Sequence, residues 1–325
     1  MRPRSYILVL LALALGLGGC GSSGGGGPIT PPAPTLAYVA NRDAGSIVGF
    51  MLTANGNVAP AVNISGGNTQ LSTPVAVAVD SSGRIYAAND AATSVLIFAS
   101  GANGNVAPIG VLGGSNTQLT GVEGIAIDHD GFIYVSNFNS NSIVVFNPGA
   151  AGNPSPTRLI AGLLTTLNEP VAMAFDSNNN LYVGQHATNS PLLEFAAGSS
   201  GNVPPIAALN GQSFFQSVAD GLALDSANRI IVGNYCSPGG VAIYAAGASG
   251  NASPVQVIKG PNTATGCVGG LAVDSSNNIY VANITGTGSD SLSMFPSSAT
   301  GNVAPSREIT GSNTTLNTPF SVAIH

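Results

Sequence analysis

The 325-residue chain has no tryptophan, three cysteines, three histidines and few charges, Asp, Glu, Lys and Arg together making up 7% of it. Each shortage excludes something. Eight basic residues against 14 acidic ones form no patch able to neutralise phosphates, so nucleic acid is excluded as a partner. A surface so poor in charge draws its polarity from Asn, Ser, Thr and Gly, and salt bridges can add little to its stability. The missing tryptophan removes the best sugar-stacking side chain and leaves Tyr235, Phe214 and Phe215 as the aromatic candidates in loops. His129, His186 and His325 fall at a lower turn, an upper loop and the last position of the repeat pattern described next. They therefore do not converge on one metal or complete a triad with a serine, and each reads as a solvated loop residue.

What the chain has in abundance is repetition. A Gly followed four residues later by Pro recurs at Gly56, Gly104, Gly152, Gly201, Gly250 and Gly301, with spacings of 48, 48, 49, 49 and 51 residues, and each Gly is followed by Asn. An alanine keeps the same beat near the end of an apolar run, at Ala78, Ala126, Ala174, Ala223, Ala272 and Ala323. A period of this length marks an array of one supersecondary unit. In one unit, Glu123 to Asp128 reads as a short buried strand, and His129-Asp-Gly131 as a turn. Phe132 to Ser136 is a second, alternating strand, Ser142 to Phe146 a third and Thr157 to Ala161 a fourth. Four short antiparallel strands per unit, each sheet apolar on two faces, predict an all-β six-bladed β-propeller. The alanine fits where neighbouring inner strands approach most closely beside the axis. The row Asp80, Asp128, Asp176, Asp225 and Asp274 starts the turn after the first strand, and its spacing is that of a type I turn with a bulge rather than a calcium loop.

The ends predict closure. The array opens at Leu36–Ala40, which aligns with the second strand of a blade, and stops at Phe320 to His325, which aligns with the first. The C-terminal strand is expected to pair into the N-terminal blade, closing the ring and removing both sheet edges.

Ahead of the array, residues 1–19 have a basic start and an apolar run from Tyr6 to Leu17, the order of an export signal and too short to span a bilayer. Leu17-Gly18-Gly19-Cys20 resembles a bacterial lipobox, which implies cleavage before Cys20 and acylation of its thiol. Residues 20–35 are then the lipidated Cys and a Gly/Pro-rich tether, and residues 36–325 the propeller. The expected address is the cell envelope, with the membrane reached through the lipid anchor only. Gly21 after the Cys resembles outer-membrane sorting in a host with two membranes. Loss of Arg2 and Arg4 with the signal leaves a net charge near −8. Cys236 and Cys267 remain as a candidate disulfide in an oxidising compartment, closing a loop worth about 3–4 kcal/mol, with a metal site or two free thiols as alternatives.

The run Gly124-Ile-Ala-Ile-Asp128, then Gly131, Ile133-Tyr134-Val135, Asn137 and Ile143-Val-Val-Phe146 resembles an NHL repeat, and the likeness recurs in all six units. Ile231 departs from it where the repeat carries Tyr. That resemblance implies a propeller and leaves activity open, because such propellers include binding platforms, sensor ectodomains and lyases.

Two sets of residues are candidates for function. Asn41, Asn89, Asn137, Gln185, Asn234 and Asn283 follow the second strand in every unit. They are expected to ring the upper face, either binding a ligand through six amides or capping their own loops. Glu123 and Asp220 break the symmetry just before the inner strand, with Glu169 one to two residues outside that register, and oxygen-rich surroundings there would suit Ca2+ or another divalent cation. Asp220-Gly-Leu-Ala-Leu-Asp225 is similar to a metal-binding segment of gluconolactonase-like propellers, and Glu123-Gly124 is compatible with a second ligand position. The resemblance implies cation-assisted lactone hydrolysis, although Val171 stands where that family has an Asn ligand. Phe214-Phe215 is an aromatic pair where other units are polar, either a contact site or a plug of the channel. The expected function is a monomeric binding platform for a protein or glycan at the upper face. The alternatives are a metal-dependent hydrolase and a surface structural or adhesion protein.

Overall fold

A computed structural model describes residues 35–187, 190–210, 220–235, 239–285 and 290–325. Cys20, Phe214, Phe215 and Cys236, each singled out above, lie outside the described residues. Six antiparallel sheets of four strands form a ring. Numbered from the N-terminus, blade 1 holds residues 36–64 together with 319–324, and blades 2 to 6 span residues 74–112, 122–161, 170–209, 221–258 and 268–310. The closing strand, Pro319–Ile324, is the innermost of blade 1 and pairs from Ala37↔Ile324 to Asn41↔Pro319. In the unit read residue by residue, the strands are Val122–Ile127, Ile133–Asn137, Ser142–Phe146 and Arg158–Ala161, within a residue or two of expectation.

The core is a ring of apolar clusters between adjacent blades. Each repeated alanine shares a cluster with a larger residue of the next inner strand: Ala78 with Ile125, Ala126 with Met173, Ala174 with Leu222, Ala223 with Leu271, Ala272 with Val322 and Ala323 with Val77. Small meets large at every blade junction beside the axis, as close packing requires. Gly124 takes the same economy of space further. A Cβ there would lie 1.8 Å from the Val171 carbonyl oxygen of the next blade.

The Asp that starts each lower turn is spent on that turn. Asp80 Oδ1 accepts from the Ser82 and Arg84 backbone N–H groups at 2.9 and 3.0 Å, and Oδ2 accepts from Arg84 Nε at 2.7 Å and Tyr86 Oη at 3.1 Å. Burial raises its carboxyl, but these bonds more than offset the rise and hold it at about 2.

The Gly-Asn marker proves to be a staple between blades. Its Gly makes a parallel bridge to the outer strand of the preceding blade in six places, from Ile64↔Gly104 round to Gly56↔Ile309. Its Asn side chain accepts a backbone N–H of the short 3-10 turn that follows that strand: Asn68 N to Asn105 Oδ1 at 2.8 Å, Asn116 N to Asn153 Oδ1 at 2.8 Å and, across the closure, Asn313 N to Asn57 Oδ1 at 2.7 Å. Cys267 is disulfide-bonded.

Candidate functional site

Inner strands begin and second strands end on one face, called upper here. A channel of about 480 Å³ runs between the inner strands, lined by Val75, Glu123, Val171, Asp220, Gly269, Ser321 and the residues that follow them. Above it opens a second cavity of about 350 Å³, lined by Arg42, Asp90, Gly121, Glu123, Phe138, Asn139, His186, Tyr235 and Phe320. Glu123 and Phe320 belong to both, so the two spaces meet at the channel mouth.

The six repeated amides lie beneath this mouth and do not face it. All are buried, from 0 to 2% exposed. Asn137 Oδ1 accepts from Thr120 N at 2.9 Å while its Nδ2 donates to Gln118 O at 2.8 Å. Asn89 does the same with Ser72 N at 2.7 Å and Gln70 O at 3.0 Å. Gln118 and Gln70 have positive φ, 58° and 60°, so the amide fixes the left-handed residue that turns the chain into the next inner strand. Gln185 holds Asn168 N and Pro191 O, Asn41 holds Asn317 N and Thr315 O, and Asn283 donates to Ser291 and Ser293. Asn234 is equally buried. Asn41, Asn89, Asn137 and Gln185 thus spend their hydrogen bonds on their own loops, while Asn283 ties to the neighbouring strand and its Oδ1 has no hydrogen-bond partner among the described residues.

The symmetry breaks one residue further on. Arg42, Asp90, Phe138, His186, Tyr235 and Ile284 each follow one of the six amides, and all six are half-buried. Five of them line the upper cavity. One register, fixed by one scaffold, thus presents a cation, an anion, two aromatic rings, an imidazole and an aliphatic side chain. The rings form a belt: Phe138 to His186 with centroids 5.6 Å apart, His186 to Tyr235 at 6.4 Å, and Tyr235 to Phe320 at 6.2 Å. The Arg42 guanidinium lies 5.1 Å over Phe320.

His186 lies in a loop with its side chain 39% exposed, and it has a partner that spacing did not show. Its Nδ1 lies 3.3 Å from Asp220 Oδ1, and the Asp220 side chain is 4% exposed. The hydrogen bond to Asp220 raises His186 above the ordinary imidazole value, and burial raises Asp220, so the pair keeps its proton to a higher pH than either group alone. Glu123 is pushed up to about 7 by burial first and then by the charges of Asp90 and Asp220, against the pull of Arg42 and His186.

Glu123 and Asp220 therefore meet at the mouth, as their register implied, but Glu169 does not join them. It sits in a left-handed turn with φ 54°, its backbone N–H donated to Asn141 Oδ1 at 2.7 Å, and it lines neither cavity. Among the described residues no group of three or more His, Cys, Asp or Glu is placed to hold a metal ion.

No protein-family model and no curated protein matches the chain. Solved structures do. A protein of unknown function from Bacteroides caccae superimposes with TM-score 0.65 at 10% identity, covering 90% of this chain and 99% of that one. A putative 6-phosphogluconolactonase from Bacteroides uniformis gives 0.57 at 13% identity, covering 90% and 85%. Virginiamycin B lyase from Staphylococcus aureus gives 0.55 at 12%, covering 81% and 80%. The likeness is one of fold. At such identities, what the mouth does has to be argued from its own side chains.

Proposed function

We propose that this propeller is an exported, lipid-anchored protein of the NHL-repeat type whose upper mouth binds a protein or glycan ligand. One observation carries the reading. The scaffold repeats itself in the alanines, the turn aspartates, the amides and the Gly-Asn staples, and it stops repeating at the residues that project into the mouth. Structural demands are the same in every blade, so they account for the repeated positions. A ligand is not six-fold symmetric, and it accounts for Arg42, Asp90, Phe138, His186 and Tyr235, which line the upper cavity. Half-buried rings beside a carboxylate and a guanidinium are the side-chain types that dominate recognition of sugars and peptides. Export and anchoring rest on the basic start, the apolar run and Cys20, and the tether before Leu36 would hold the mouth clear of the lipid.

A divalent-cation hydrolase is the other reading that Glu123 and Asp220 invite, and the donor set does not fit it. Asp220 has only Oδ2 to offer, its Oδ1 facing His186, Glu169 lies outside both cavities, and the intervening register is Val171, whose side chain has no ligand atom, so fewer than three side-chain ligands converge among the described residues. An adhesive role would have to use the blade flanks, since the amides are buried.

The test is a screen of the full chain on glycan and peptide arrays beside the double variant Arg42→Ala/Tyr235→Ala. Signals lost in a variant that melts like the parent support the mouth as the binding surface. Signals that persist at full strength would move recognition elsewhere.

A further inference from the structure

Asp220 leaves one oxygen unaccounted for. Oδ1 faces His186, while Oδ2 is buried and has no hydrogen-bond partner among the described residues. A buried carboxylate oxygen without a donor costs about 1–3 kcal/mol or more, a cost that an ordered water, an ion or a donor group of a ligand removes. Asp220 lines the channel directly below the aromatic belt, which makes the mouth the route by which that donor comes.

The charge around it decides what kind of donor is fitting. Glu123, Asp220 and Asp90 face the mouth with Arg42 as the one permanent cation among its described lining residues. The other arginines among the described residues lie elsewhere: Arg84 and Arg229 on Asp80 and Asp225 at the lower turns, Arg158 over the rings of Phe132 and Tyr134 with Asp128 4.0 Å away, and Arg307 on the Leu52 carbonyl. Arg42 itself lies over Phe320. A hydroxyl donor would satisfy Oδ2 but leave the carboxylates uncompensated, whereas a positively charged donor does both. The rings of Phe138 and Tyr235 add the quadrupole that attracts an organic cation.

We infer that the mouth binds its ligand through a primary ammonium group, seated at Asp220 Oδ2 with Glu123 as second carboxylate and Phe138 and Tyr235 alongside. The inference rests on the mouth being a ligand site and narrows that site to amine-bearing ligands of about monosaccharide size, for which a cavity of about 350 Å³ has room. An amino sugar and a lysine side chain both present this group, and the test separates them.

The full chain is titrated calorimetrically with glucosamine, N-acetylglucosamine and Nα-acetyl-lysine amide. The expected result is binding of glucosamine or of the lysine derivative, whichever source is correct, and no binding of N-acetylglucosamine, in which acetylation removes the charge. Asp220→Asn should weaken the amine roughly ten-fold or more, and Glu123→Gln should weaken it near pH 8. Affinity for the lysine derivative, whose ammonium stays charged throughout, should also rise between about pH 5 and pH 8 as Glu123 ionises in a surrounding of Asp90, Asp220, Arg42 and His186. Equal binding of glucosamine and its N-acetyl form, or silence from both amines, overturns the inference. The array screen with Arg42→Ala/Tyr235→Ala then reports separately whether the mouth binds anything. If Asp220→Asn fails to fold, unchanged amine affinity in Glu123→Gln at pH 8 overturns the inference by itself.

Discussion

Deleting residues 319–325 removes the innermost strand of blade 1 and reopens the ring. The pairing from Ala37↔Ile324 to Asn41↔Pro319 disappears, with the reciprocal bonds Leu36 N to His325 O at 2.7 Å and His325 N to Leu36 O at 3.0 Å. Val322 is 6% exposed in the cluster that also holds Val39, Val48 and Ala272. Phe320 and Ile324 pack half-buried against two different clusters. Full burial of an apolar side chain of this size is worth about 1.5–3 kcal/mol, so Val322 whole and the other two at about half weight contribute roughly 3–6 kcal/mol. The deletion also bares an inner sheet edge and the flank of blade 2. Set against a total stability of about 5–15 kcal/mol, this is enough to abolish cooperative folding. Thermal melting followed by circular dichroism, with limited proteolysis alongside, reads the effect. Val322→Ala serves as the graded control and should cost about 1–3 kcal/mol while keeping one transition. A deleted chain that melts cooperatively within a few degrees of the parent would refute the closure argument.

Gly124→Ala should destabilise by about 3 kcal/mol or more, because its Cβ would meet the Val171 backbone at 1.8 Å, whereas Gly67→Ala, with nothing within 4 Å, should stay within about 0.5 kcal/mol; urea unfolding distinguishes them. Asn57→Ala removes the staple across the ring seam and should cost about 0.5–1.5 kcal/mol, seen as faster proteolysis near the 3-10 turn of residues 312–314; equal proteolysis of variant and parent would argue against the staple. Glu123 carries a pH signature. Its folded value of about 7 exceeds the ordinary glutamate value of 4.5, so the unfolded chain ionises first and stability falls as pH rises between those values, by up to about 3 kcal/mol. Glu123→Gln should therefore raise the melting temperature at pH 8 and change it little near pH 4.5; an equal shift at both would contradict the assignment.

How far the sequence spoke depended on the range of the interaction. Strand positions were legible because alternation and turn chemistry are local: the closing strand was expected at Phe320 to His325 and runs Pro319–Ile324. The alanine register was legible because the same packing constraint recurs at every blade junction. The Gly-Asn marker was visible as a pattern, but its partner lies about 40 residues away across a blade boundary, as with Asn105 and Asn68, and no local signal names it. The amides were visible too, and their burial under the loops decided between the two uses the sequence left open. The partner of His186 was missed because Asp220 lies 34 residues on in another blade. A signal was nevertheless present: in six aligned units the residue after the amide is never the same twice.

The central claim is that repeated residues build the propeller and unrepeated ones serve its ligand. Two adjacent positions test it side by side, Asn137→Ala and Phe138→Ala, each measured for melting temperature and for capture of the array ligands. Asn137→Ala should lose about 1–3 kcal/mol of stability, since the buried amide and the part-buried Thr120 N–H and Gln118 carbonyl lose one another. Phe138→Ala should melt within a few degrees of the parent and lose capture. The reverse pattern, a stable Asn137→Ala with binding lost or a Phe138→Ala that binds normally, would contradict the account.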